Sequence, residues 1–304
     1  MKALWRLLCA QLLLTLLLPG VAGANCSTGD GLSLQILGSG GPFGRGRASS
    51  AYLVWLDGSA RILVDAGGGS FTRFHETGAL IADLELMAIS HFHPDHSAEV
   101  PALLWIKPTD LLLSGPSGRG LFPSADEYVG GLFGPEGVYR AVTNGDGLNT
   151  LTIDVDHQEA TEVWSDDSLT VTAIGVPHGI VPAVGYKVQA EGVSIVFASD
   201  QNGSSEDFAE FAHGADVLVA HLAIPENQTG PGSRLHARPS VWGQMATDLE
   251  VGTLVLSHLS AQPPDVASRS IPAFEDRLAR VREHYQGEIV IAEDLMCIPL
   301  SAAR

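Results

Sequence analysis

The stretch Ser90-His91-Phe92-His93-Pro94-Asp95-His96 decides how this chain is read. Positions 91 to 96 carry three imidazoles and a carboxylate. Those are the ligands that a borderline-soft divalent ion such as zinc takes. One histidine alone is as well explained by a core or surface role. The whole H-x-H-x-D-H pattern is not, because clustered ligands are what a metal site requires. The preceding Leu86-Met87-Ala88-Ile89 is a short apolar run and reads as a buried strand. His91 therefore stands where a strand ends, the usual place for ligands in an α/β protein.

Working outward, strand-like runs recur between glycine-rich turns. Leu32 to Leu37, Ala51 to Leu56 and Arg61 to Val64 open the chain, with the turn signal Asp57-Gly58 between two of them. Leu169 to Val176, Ala183 to Val188, Val193 to Ala198, Val217 to Ala220, Thr253 to Ser257 and Ile289 to Ala292 continue the pattern. The clearest helix spans Ile271 to Tyr285, with Ile271, Phe274, Leu278 and Val281 on one face, Ser270 as N-cap and Pro272 in the first turn. Mixed strands and helices without a long linker predict one layered α/β domain. The stretch Gly115 to Gly147 is rich in glycine and proline and reads as a long irregular loop, either a lid or a peripheral excursion.

Residues 1–24 read as a secretory signal peptide. Lys2 and Arg6 give a positive start, and Leu7 to Leu18 is too short to span a bilayer comfortably. Pro19-Gly20 breaks that run, and Ala22-Gly23-Ala24 fits a small-residue cleavage site before Asn25. The expectation is a periplasmic or secreted protein with no membrane association after cleavage, residues 25–304 forming the folded domain. An uncleaved anchor is the alternative. Cys9 would leave with the signal, and Cys26 and Cys297 would remain as a disulfide or as two free thiols. The formal charge is −18, from 17 basic and 35 acidic residues. Such a surface repels polyanions at long range, so RNA and DNA are not expected as partners. The oligomeric state is left open.

The motif resembles the signature of the metallo-β-lactamase superfamily, and further elements follow in the order that family has. Leu63-Val64-Asp65-Ala66-Gly67-Gly68 resembles its early strand-Asp-x-Gly element. Val176-Pro177-His178-Gly179 resembles its isolated histidine, Phe197-Ala198-Ser199-Asp200 its strand-end aspartate, and Leu256-Ser257-His258 its late histidine. Gly185-Tyr186 and Arg234-Leu235-His236 resemble the ribonuclease Z and arylsulfatase-like branch. Asp200 stands where common lactam-hydrolysing members carry a cysteine. Two features depart from the branch. His221 is followed by Leu222 where the branch often has a glutamate. No long basic arm of the kind ribonuclease Z uses to hold tRNA is found.

The resemblance implies an α/β fold, the four-layer αββα sandwich, and two zinc ions, with iron or manganese as alternatives. His91, His93 and His178 would hold one ion, Asp95, His96 and His258 the other, and Asp200 would bridge them. Asp65 would act behind the ligands. Paired cations lower the pKa of a shared water, so a bridging hydroxide would be the nucleophile, with Asp95 orienting it. His236 would be the proton donor outside the metal site. Arg45, Arg47, Arg234 and Arg238 are candidate contacts for a phosphate or sulfate group. His75, His157, His213, His221 and His284 fit no ligand slot. The expected substrate is a small anionic ester, a phosphodiester or sulfate ester. A lactone or carboxylic ester, or a metal-binding or redox protein that kept only the fold, are the alternatives.

Overall fold

The computed structural model describes residues 26–44, 46–105, 111–143, 148–259 and 274–301. The proposed signal segment, Asn25, Arg45, Ser270, Ile271 and Pro272 lie outside the described residues. Among the described residues, fourteen strands run in chain order: β1 Leu32–Gly38, β2 Ala51–Leu56, β3 Ser59–Val64, β4 Leu86–Ala88, β5 Leu112–Pro116, β6 Asn149–Ile153, β7 Thr161–Ser165, β8 Leu169–His178, β9 Val181–Ala190, β10 Val193–Phe197, β11 Val217–His221, β12 Thr253–Ser257, β13 Glu288–Ile291 and β14 Cys297–Pro299. The helices are α1 Ser70–Glu76, α2 Pro94–Ser97, α3 Val100–Leu103, α4 Ala125–Phe133, α5 Arg140–Thr143, α6 Glu206–Ala212, α7 Pro231–Leu235, α8 Pro239–Asp248 and α9 Phe274–Arg282.

The strands form two seven-stranded sheets, in the orders β14-β1-β2-β3-β4-β5-β6 and β13-β12-β11-β10-β9-β8-β7. Each sheet has an antiparallel part and a parallel part. In the first, β3 to β6 are parallel. In the second, β10 to β13 are parallel. One apolar core lies between the sheets, where Leu34, Val54 and Val64 of the first meet Val171, Tyr186 and Ile195 of the second. The outer face of the first sheet buries Leu53, Leu63 and Met87 against Phe74 of α1, Leu103 of α3 and Val129 of α4. That of the second buries Val196 and Leu218 against Phe208 of α6, Trp242 of α8 and Val281 of α9. The layers are thus helix, sheet, sheet, helix, the expected αββα sandwich. Strands buried on both faces read as continuous apolar runs, and β2 is buried throughout.

The stretch Gly115 to Gly147 is not the long irregular loop expected of it. Its described part holds the end of β5, α4 and α5. Ser124 caps α4, accepting from the Glu127 N–H while the Glu127 carboxylate accepts from the Ser124 N–H, a reciprocal box that starts a helix. Tyr128 of α4 stacks on Phe92 and its hydroxyl donates to the Ser97 carbonyl at 2.7 Å. This segment therefore braces the histidine-rich loop. Cys26 and Cys297 form a disulfide with a Cα separation of 5.7 Å, joining the chain before β1 to β14.

Candidate metal centre

The cluster is built at the C-terminal ends of parallel strands from both sheets and of the antiparallel strand β8, whose last residue is His178. The chain leaves β4 through Ser90 and His91 and turns into α2, whose first residue is Pro94. Proline holds the preceding His93 extended, with ψ 147°. Gly67 lies beneath this turn. A Cβ there would sit 2.1 Å from the Asp95 carbonyl oxygen, so only glycine lets the two loops meet. Asp65, Ser199 and His258 follow β3, β10 and β12 and have φ of 58°, 60° and 52°. Non-glycine residues seldom take this conformation, and such strain gathers at functional sites.

Two half-sites result. His91 Nε2 and His93 Nδ1 are 3.0 Å apart, and with His178 they bring three ring nitrogens within 4.8 Å of one another. On the other side, Asp95 Oδ2 is 3.2 Å from His258 Nε2 and 3.7 Å from His96 Nε2. Asp200 stands between the halves. Its Oδ2 is 3.9 Å from His91 Nε2, 3.8 Å from His178 Nε2 and 3.7 Å from His96 Nε2, and its Oδ1 is 3.6 Å from His258 Nε2. All seven residues assigned to metal from the sequence come together here.

The donor set fits cations. Metal-ligating imidazoles are normally held through their other nitrogen. The outer Nδ1 of His91 lies 3.2 Å from Ser90 Oγ, that of His96 2.7 Å from Asp65 Oδ2, and that of His178 donates to the Leu235 carbonyl at 2.8 Å. The inner Nε2 atoms of His96 and His178 are buried without a hydrogen-bond partner. Buried polar atoms are rarely left so, and here they converge on one carboxylate. Asp65 also accepts from the Ser90 N–H at 2.7 Å and from its Oγ at 2.9 Å. It thus holds both ends of the motif from behind.

The charges are strongly coupled. Burial draws His96 down, but the carboxylates of Asp65 and Asp200 prevail and hold it well above the usual imidazole range. Burial alone would raise Asp95, yet the His258 hydrogen bond and the nearby His96 charge bring it to about 2. Asp200, also raised by burial, is held well below the usual carboxylate range by His258, His236 and His96.

His236 follows α7 beside this cluster, with Nδ1 3.6 Å from Asp200 Oδ2 and no hydrogen-bond partner. Burial, only partly offset by Asp200, pulls its pKa down to about 4. Leu222 is fully buried in the core, so no carboxylate at that position polarises the ring.

The candidate arginines divide. Arg234 and Arg238 flank His236 and are exposed; Arg238 also donates to the Gln228 carbonyl at 3.2 Å. Arg47 is half-buried and gives Nη1 to Ser39 Oγ at 2.7 Å and to the Ala292 carbonyl at 2.8 Å. It ties the glycine-rich loop to the end of β13 instead of presenting a free guanidinium. Arg45 is outside the described residues. His75, His157, His213 and His284 are exposed. His221 is not among them. It is buried, and its Nδ1 lies 2.7 Å from Asp200 Oδ1. The missed signal was the strand order: β11 lies between β10 and β12, whose ends carry Asp200 and His258.

Fold and site together define a metal-dependent hydrolase of the metallo-β-lactamase fold. A family model described as the beta-lactamase superfamily domain matches residues 60–259, and the chain belongs to that superfamily. Ribonuclease Z of Mycobacterium bovis (strain BCG) is 28% identical over 244 residues, covering 75% of this chain and 85% of that protein. The human short-form tRNase Z structure superposes with a TM-score of 0.67 at 20% identity, over 88% of this chain and 99% of that one. The metallo-beta-lactamase fold protein YhfI from Bacillus subtilis gives 0.65 at 19% identity, over 89% and 100%. The last two share the fold. The ribonuclease Z branch is the one the motifs indicated.

These relatives correct one expectation. From net charge nucleic acid is not expected as a partner, yet the relatives matched over three-quarters of this chain are ribonucleases. Net charge sums over the whole surface, whereas a bound substrate feels the local field. In a metal site the cations dominate that field.

Proposed function

We propose that this protein is an exported dinuclear zinc hydrolase that cleaves phosphodiester bonds. The observation that carries this reading is the position of Asp200, one buried carboxylate facing imidazole nitrogens of both half-sites at 3.6–3.9 Å. The ribonuclease Z relatives support the bond type. His91, His93 and His178 would hold one ion and Asp95, His96 and His258 the other, with Asp200 shared. When bound, such a pair activates water at neutral pH and stabilises oxygens that gain charge in an in-line displacement.

The chain's own groups supply the rest. Asp65 and Ser90 keep the imidazoles aimed inward. Asp95 is ionised throughout the neutral range, so its oxygens would only accept or ligate. His236 is half-buried and neutral near pH 7, so its ring N–H would hydrogen-bond the leaving oxygen as charge develops there, and only the small doubly protonated fraction could pass it a full proton. Arg234 and Arg238 offer guanidinium groups to the flanking anionic part of the substrate.

Export is part of the reading. It is supported by the charged start and apolar run of residues 1–24, and by the Cys26–Cys297 disulfide, a bond that persists in oxidising compartments. Protein from the exported fraction should begin at or near Asn25 on N-terminal sequencing; intact Met1 in the cytoplasm would reverse this. For the activity, zinc-loaded protein should hydrolyse bis(p-nitrophenyl) phosphate and be challenged in parallel with a 3′-extended tRNA, p-nitrophenyl sulfate and a lactone. Turnover of the sulfate ester or lactone without any phosphodiester cleavage would refute the assignment.

A further inference from the structure

His221 offers a ring nitrogen to the cluster, grouping with His96, Asp200 and His258 as a potential ligand. Its bonds indicate another role. Asp200 Oδ1 is a carboxylate oxygen and only accepts, so the 2.7 Å contact requires a proton on His221 Nδ1. That nitrogen is thereby occupied. The other ring nitrogen, Nε2, is 3.1 Å from the Tyr52 hydroxyl, which is itself 2.9 Å from Ser257 Oγ. Tyr52 belongs to β2 of the opposite sheet and is fully buried. The main chain of His221 is pinned as well, since the Trp242 indole donates to its carbonyl at 2.9 Å. Both ring nitrogens and the carbonyl are thus engaged away from any cation.

The consequence falls on Asp200. With Oδ1 committed to His221, the carboxylate has one rotation about its Cβ–Cγ bond, the one that aims Oδ2 at His91, His96 and His178. We propose that His221 is a positioning residue for the carboxylate shared by the two half-sites, and that Tyr52 props its ring from the opposite sheet. The relay Tyr52–His221–Asp200 links the packing of the two sheets to the separation of the two ions. This rests on the dinuclear reading above.

The test uses full-length protein with zinc and cobalt(II) as probes. Asparagine places an amide N–H close to where histidine carries Nδ1, whereas glutamine places its amide near Nε2. His221→Asn should keep two ions per chain with affinity near that of the native protein. His221→Gln and His221→Leu should bind them roughly 10–100-fold more weakly, the size of effect expected for a partner behind the ligands, and should shift the cobalt(II) absorption bands. Tyr52→Phe should lose less than His221→Leu. Circular dichroism of the metal-free variants separates these effects from unfolding, and the Asn and Gln pair keeps the test alive if the leucine variant does not fold. If Asn and Gln behave alike, or if Gln is the better replacement, the Nδ1 donor is not what matters and the proposal falls. If His221→Asn binds one ion instead of two, His221 is a ligand. Native protein that binds no metal would overturn the dinuclear reading itself.

Discussion

His236→Ala separates proton donation from metal binding. The ring lies beside the cluster, Nδ1 3.6 Å from Asp200 Oδ2, and also groups with His178 and Asp200 as a possible ligand set, so metal content decides between the two roles. General acid catalysis contributes about 10²–10⁴-fold. Two features place His236 at the low end. The position behind it that a carboxylate could fill is Leu222, in the core, and the carboxylate it does face, Asp200, stands at 3.6 Å, too far for a hydrogen bond that would sharpen its donation. Its pKa near 4 also leaves about one ring in 10³ doubly protonated at pH 7. The expected loss in kcat is therefore about 10²-fold, or about 2.7 kcal/mol of transition-state stabilisation. The assay is steady-state hydrolysis of aryl phosphodiesters with leaving-group phenols of graded pKa, alongside elemental analysis. The loss should shrink to less than about tenfold for the best leaving group, which needs little protonation. Metal content should stay at the native level. A variant short of metal would make His236 a ligand, and an equal loss for good and poor leaving groups would remove it from proton transfer.

Asp65→Ala should weaken metal affinity by about 10–100-fold, because it frees His96 Nδ1 and both Ser90 donors together; a chelator competition measures this, and unchanged affinity would refute it. Replacing Cys26 with Ser should cost about 2–5 kcal/mol, because the disulfide spans 271 positions; equal chemical denaturation midpoints with and without the bond would refute that. In metal-stripped protein, burial lowers His236 from the ordinary 6.5 to about 4. The unfolded chain then binds the proton first, so the native ring destabilises the fold progressively as pH falls from about 6.5 to 4, by at most about 3 kcal/mol. His96 and His258 shift the other way, so the measurement is differential: His236→Gln should gain stability relative to native protein over that window and not above it.

The layered fold was legible because strands buried on both faces are nearly unbroken apolar runs. Ala51 to Leu56 and Thr253 to Ser257 were placed to the residue. β5, β6, β7 and β14 have no counterpart among the expected strands. The Leu112–Pro116 run of β5 enters the stretch whose glycines and prolines suggest a loop, and that stretch also holds the capping box at Ser124. The residues of the cluster were legible because H-x-H-x-D-H is local and His178, Asp200 and His258 lie in short segments that resemble the family's elements. His221 was not, because its importance comes from the neighbours of β11 in the sheet, which residue spacing does not encode. Arg47 misled for a related reason: a cation in a glycine-rich loop looks free until its acceptors, Ser39 and the Ala292 carbonyl, are known. The disulfide stayed undecided because two cysteines 271 positions apart give no distance from sequence.

Several polar contacts that hold the two sheets together at this rim are also contacts of the site. The Val184 N–H donates to the Ser90 carbonyl at 2.9 Å, and the Tyr186 hydroxyl to the Ile89 carbonyl at 3.1 Å, so β9 of the second sheet grips the start of the histidine-rich loop. Tyr52 reaches the other way, from β2 to His221 and Ser257. The Leu259 N–H donates to the Ser39 carbonyl at 2.8 Å, tying the residue after His258 to the first sheet, where Asp294 in turn accepts from Ser39 and Ala48. Each half-site takes candidate ligands from both sheets: His178 joins His91 and His93, and His258 joins Asp95 and His96. A shift of one sheet against the other would therefore change ligand separation in both halves at once. Close packing between the sheets resists such a shift, and a bound ion pair would resist it further, since binding to the native state alone stabilises that state. Metal binding and the stability of the sandwich should therefore be coupled through the same few residues, and substitutions at Tyr52 or Tyr186 are expected to weaken metal affinity, which a chelator competition would read.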